Sequence, residues 1–97
     1  MNFVVFDLET QNLFEDVGGR NNIMALKVSC AVTWSSTRKE YSVYWEKDIP
    51  ALIADLKSAG RVVGFNIKAF DYEVLKPYAP TEKLIYLPKK IMCHLLY

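Results

Sequence analysis

The sequence predicts an α/β fold on a mixed sheet, with elements in the order β-β-β-α-β-α-β. Three observations lead to it. An apolar run, Phe3 to Phe6, ends directly in a pair of carboxylates, Asp7 and Glu9. Two later stretches, Ile23 to Trp34 and Tyr41 to Trp45, alternate with period two, as half-buried strands do. A helical stripe, Ile49, Leu52, Ile53 and Leu56, then separates them from another short apolar run, Arg61 to Phe65. A helix of that length can cross over the sheet, so the strand after it returns parallel to the first.

The chain has 97 residues, enough for one domain with a modest core. It is 52% hydrophobic and 24% charged, which excludes a disordered chain. Its net charge of +1 neither favours nor opposes a nucleic-acid partner. No apolar run reaches the length of a membrane span, so no membrane contact is expected. The N-terminus lacks the basic start of a secretory signal, and a cytoplasmic location is expected. Cys30 and Cys93 are too few and too far apart for a disulfide framework or a zinc site.

Phe3 to Phe6 is apolar at every position, so it reads as a central strand buried on both faces. Residues two apart on a strand share a face, which points Asp7 and Glu9 the same way, about 6–7 Å apart. Paired carboxylates repel unless a cation lies between them, and hard divalent ions favour such oxygen donors. The same pair also arises wherever a strand simply runs out into solvent.

Gln11 to Asn22, with Gly18-Gly19 and Asn21-Asn22, reads as a loop. In Ile23 to Trp34 the apolar face is Met24, Leu26, Val28, Cys30, Val32 and Trp34. Ser35 to Arg38 turns the chain, and Tyr41 to Trp45 returns antiparallel. Asp48 is placed to cap the next helix, Pro50 suits its first turn, and Gly60 follows its end, bounding a helix over Asp48 to Ala59. After the strand Arg61 to Phe65 comes a loop, Asn66 to Ala69, and a second helix from about Phe70 to Tyr78, stopped near Pro77 and Pro80. Leu84 to Leu87 is the candidate fifth strand.

A parallel fourth strand brings its own end, and the start of the second helix, beside the end of the first strand. Ligands gather there in open α/β sheets. The sequence at that place is Gly64-Phe65-Asn66-Ile67-Lys68-Ala69-Phe70-Asp71. Asp71 at a helix start also has a plain explanation in the helix dipole, and Asn66 in turn chemistry.

Phe6-Asp7-Leu8-Glu9-Thr10 resembles the first motif of the DEDD (DnaQ-like) 3′–5′ exonuclease superfamily, and Val63-Gly64-Phe65-Asn66 with Phe70-Asp71 resembles its second. The resemblance covers residues 1 to about 80 and extends to exonuclease-like domains found alone or beside helicases. It implies a ribonuclease H-like fold and metal-dependent hydrolysis of phosphodiesters at single-stranded DNA or RNA ends. It further implies that Asp7 and Glu9 ligate Mg²⁺ or Mn²⁺, and that Asp71 supports a second ion, through water. By the same resemblance Asn66 lies near the bound strand or fixes the motif loop, and Thr10 sets its backbone near the terminal nucleotide.

The pattern then breaks. The superfamily requires a fourth carboxylate, in a Tyr-x-x-x-Asp or His-x-x-x-Asp motif, and the acids after Asp71 are only Glu73 and Glu82. Tyr86 is followed four residues on by Lys90. The expectation is therefore the N-terminal part of such a domain over residues 1–87, incomplete at the C-terminus, with an atypical tail over 88–97. Metal binding should be weak and catalysis impaired. A catalytically inactive nucleic-acid-binding or self-assembling remnant is the alternative. Apolar surface left bare by the missing part, and the apolar tail Ile91 to Tyr97, point to a homodimer or other self-association.

Overall fold

The computed structural model describes residues 2–64 and 70–78 in full and the backbone of 91–92. A mixed sheet in the order β3-β2-β1-β4-β5 runs through it. Its strands are β1 (Phe3–Thr10), β2 (Val28–Ser35), β3 (Glu40–Trp45), β4 (Arg61–Val63) and β5 (Ile91–Met92). Helix α1 (Ile49–Ser58) connects β3 to β4, and α2 (Asp71–Leu75) follows β4. β1, β2 and β3 form an antiparallel meander, while β4 lies parallel to β1, as the crossover requires. This is an α/β architecture compatible with a ribonuclease H-like fold.

One core holds the molecule together. Val4, Phe6 and Leu8 of β1, Ala31 of β2, Tyr44 of β3 and Val62 of β4 meet Leu52, Ile53 and Leu56 of α1 and Val74 and Leu75 of α2. Both helices thus pack on the same face of the sheet. The stripe expected for α1 is buried as expected. Asp48 precedes this helix, but its carboxylate accepts the Trp45 N–H at 3.1 Å rather than capping α1.

Four expectations need correction. β1 is central but not buried on both faces: Val4, Phe6 and Leu8 are covered, whereas Val5 is 40% exposed. The loop after β1 is not irregular, because Phe14–Val17 and Arg20–Ala25 form two 3₁₀ turns. Gly18 and Gly19 join them at φ 92° and 113°, a conformation that L side chains resist.

The third correction concerns β2. The strand starts at Val28, not Ile23, and its alternation is not continuous. Glu9 pairs with Cys30 and Thr10 with Val28, so Ser29 is an extra residue, a β-bulge. A one-residue insertion turns every later side chain to the other face. Leu26 and Val28 face the core, but beyond the bulge Ala31, Thr33 and Ser35 do so, while Val32 is 38% exposed. The fourth correction concerns the tail. Ile91–Met92 pairs parallel with Val62 and Val63 as β5, so part of the tail has a place in the sheet. The fifth strand expected at Leu84 to Leu87 lies outside the described residues.

Among the described residues, no helix is long and apolar enough to cross a membrane.

Candidate active site

β1 carries Asp7 and Glu9 through the middle of the sheet. Asp7 is paired with Val32 and Glu9 with Cys30, and both carboxylates project from the face opposite the helices, exposed to solvent. Their sharing of a face follows from strand alternation, as the sequence implied.

Asp71 is the first residue of α2. β4 pairs with β1 only from Phe3 to Val5. Among the described residues, no strand accompanies that side of β1 beyond Val5, and the Asp71 carboxyl lies against the Leu8 backbone there. The backbone N–H groups of Leu8 and of Asp71 itself lie close enough to the Asp71 carboxyl to favour its ionised form. Asp71 is 4% exposed. Burial and then the charge of Asp7 push its carboxyl up to about 7, with a smaller push from Glu9. The two N–H donors pull the other way but lose.

Aromatic rings hold the start of α2. Tyr72 stacks on Phe6 with ring centroids 6.5 Å apart. Burial and the Asp71 charge raise the Tyr72 phenol well above its ordinary range. Phe70 meets Phe14 edge-on at 6.0 Å, and the Arg20 guanidinium lies 5.0 Å from the Phe14 ring centre. The loop after β1 is thereby clamped to the residue before Asp71.

Thr10 ends β1 in a tied turn. Its hydroxyl donates to the Asn12 carbonyl at 2.8 Å. Gln11 and Asn12 donate backbone and side-chain N–H groups to the carbonyls of Leu26, Lys27 and Val28. Asn66 and Phe65 lie outside the described residues.

A polar bridge closes this end of the sheet on the helix side. The Val28 N–H donates to the Tyr78 hydroxyl at 2.8 Å, and that hydroxyl donates to Glu46 at 2.7 Å. The Tyr78 hydroxyl and then the Gln11 side chain hold the Glu46 carboxyl below its usual range. The sequence marks Tyr78 only as the end of the second helix, and Gln11, Phe14 and Arg20 only as part of a loop. Phe14 amid a polar loop was the available signal. An open cavity of about 270 Å³, lined by Arg20 to Ala25 and Glu73, lies apart from the three carboxylates.

The donor chemistry suits Mg²⁺ or Mn²⁺: the groups are all carboxylate oxygens, and their mutual repulsion is what a divalent cation relieves. The cage is not closed, however. Among the described residues, no three His, Cys, Asp or Glu side chains are grouped so that they could hold a metal ion.

No protein-family model matches the chain, and the search of curated proteins gave no match either. Among solved structures the chain is similar to the family B DNA polymerase from the hyperthermophilic archaeon Pyrobaculum calidifontis. The TM-score is 0.60 at 19% identity, over 90% of this chain. The chain spans 11% of that polymerase's length, and at this identity the likeness is one of fold.

Proposed function

We propose that this chain is a metal-dependent 3′–5′ exonuclease-like domain that acts on single-stranded DNA or RNA ends, weakly or not at all by itself. The observation that carries the reading is the buried Asp71 carboxyl, on which the charges of Asp7 and, less strongly, Glu9 act. A buried acid raised to about 7 by burial and by a neighbouring Asp is uncommon in a purely structural role. Support also comes from the fold, which is shared with a structure described as a DNA polymerase.

In this reading Asp7 and Glu9 hold the cation from the open face. A bound Mg²⁺ or Mn²⁺ supplies Lewis-acid polarisation of the phosphodiester and a more acidic water. Asp71 orients water through a carboxyl already fixed by the Leu8 N–H. Thr10 sets the tied turn against the terminal nucleotide. Residues 1–97 hold three of the four carboxylates the resemblance calls for, so this stretch by itself would hold the metal weakly and turn over slowly.

The alternative is binding without cleavage. It is favoured by Glu73, one of the two later acids, which is committed to an ion pair with Lys76 at 2.6 Å.

The test combines calorimetry of Mn²⁺ binding with an end-labelled oligonucleotide assay on wild type, Asp7→Asn and Glu9→Gln. Metal heat that disappears in both variants, with Mn²⁺-dependent oligonucleotide binding and at most slow shortening, is the expected result. Equal heats in all three proteins remove the carboxylates from any metal site. Rapid shortening by pure wild type overturns the expected impairment.

A further inference from the structure

We infer that Phe14, in the loop after β1, is a positioning residue for Asp71: its ring holds the start of α2 from the loop side and so keeps the Asp71 carboxyl against β1. The inference takes its purpose from the nuclease reading but not its test, which involves neither metal nor oligonucleotide.

α2 does not set its own direction. It has five residues, Asp71–Leu75, far fewer than a helix needs to persist alone. Phe70 before it offers no side-chain cap, and its φ of −122° and ψ of −70° are neither helical nor extended. One backbone bond, from the Val74 N–H to the Phe70 carbonyl at 2.9 Å, closes the first turn. The rest of the hold at this end comes from packing.

That packing lies on both sides of Asp71 along the chain. From Tyr72 onward α2 is tied to the sheet: Tyr72 stacks on Phe6, and Val74 and Leu75 are buried in the core. On the N-terminal side, among the described residues, the tie is Phe70, which meets Phe14 edge-on. Asp71 thus sits between a contact to β1 and a contact to the loop. The first fixes one end of the Asp71 backbone and the second fixes the other, and a side chain is aimed only when both are held.

The loop is built around this one ring. Leu13, its neighbour, is 62% exposed, so an apolar side chain here is not buried merely for being apolar. Phe14 is half-buried against the core. The Leu13 N–H donates to the Asp16 carboxylate at 2.9 Å, and the Gly19 N–H donates to the Phe14 carbonyl at 2.8 Å. The backbone is therefore tied on both sides of the ring. The Arg20 guanidinium, 5.0 Å from the ring centre, adds a contact from the second 3₁₀ turn.

Amide exchange of the full chain, read at single residues by NMR, tests this. The Leu8 N–H lies close to the Asp71 carboxyl, on a stretch of β1 that no described strand accompanies on that side, so its exchange reports their contact. Phe14→Leu keeps an apolar side chain and removes the ring. The expected result is Leu8 exchange faster by at least about fivefold relative to the amides of the β2–β3 ladder. Phe70→Leu should do the same from the α2 side. Asp71→Ala should also speed Leu8, and adding Phe14→Leu to it should give nothing further, because the ring then has no carboxyl to place. A Leu8 amide unmoved relative to the ladder, or effects of Phe14→Leu and Asp71→Ala that simply add, overturns the inference. Equal acceleration of Leu8 and the ladder would mark a merely structural ring and overturn it too.

Discussion

The carboxyl of Asp71 and the backbone N–H of Leu8 lie close together where β4 stops accompanying β1. This contact anchors the start of α2 to the strand that carries Asp7 and Glu9. It also buries an acid in the field of two others, and that arrangement has measurable consequences.

The first concerns pH. The Asp71 carboxyl rises from 3.8 to about 7 on folding. Between those values the folded chain keeps a proton that the unfolded chain has released. This group therefore favours folding most below about pH 4, its contribution falls as pH rises towards 7, and it is constant above that. At about 1.4 kcal/mol per unit, the full penalty has an upper bound of about 4 kcal/mol. Asp71→Asn removes the ionisation, and its amide oxygen still accepts the Leu8 N–H. Urea unfolding at pH 5 and pH 8 should show wild type losing about 2 kcal/mol or more between them, and the variant much less. A parallel fall in both proteins would place the titration elsewhere.

The second concerns the bridge between α2's end and the sheet. Tyr78→Phe leaves the Val28 N–H, in a residue with 0% exposure, without its acceptor. An orphaned buried donor costs about 1–3 kcal/mol. Glu46→Gln keeps an acceptor for the Tyr78 hydroxyl and should cost less. Denaturant midpoints of the two variants check the order, and a neutral Tyr78→Phe would contradict it.

The third concerns the bulge at Ser29. Deleting that residue removes the bulge, and plain alternation then leaves Leu26, Val28, Ala31, Thr33 and Ser35 on the core face. Cooperative unfolding should survive this deletion, whereas deleting Val32, which has no bulge to absorb it, turns Thr33 and Ser35 off the core face and should abolish it. Equal behaviour of the two deletion variants would contradict the register.

That bulge also shows where the sequence stopped being legible. The order of strands, the α1 stripe and the parallel return of β4 could be read because each rests on a local period. The common face of Asp7 and Glu9 could be read for the same reason. The face taken by β2 could not, because a single extra residue inverts it and carries no marker in composition. The stripe Cys30, Val32 and Trp34 is more apolar than Ala31, Thr33 and Ser35, yet the small residues turn to the core side. The burial of Asp71 and the Tyr78 bridge depend on contacts between distant segments, 50 residues apart for Tyr78 and Val28. No window on the sequence contains both partners.

The central claim is that Asp7, Glu9 and Asp71 form one cation-binding unit. Carboxyl-carbon NMR of Asp71, titrated with and without Mg²⁺, tests it most directly. The account predicts a value near 7 without the ion, lowered by about one unit or more when saturating Mg²⁺ supplies the charge that burial and Asp7 deny it. It further predicts that Asp7→Asn lowers the starting value and abolishes the response. An Asp71 titration that does not move on adding Mg²⁺ would contradict the claim.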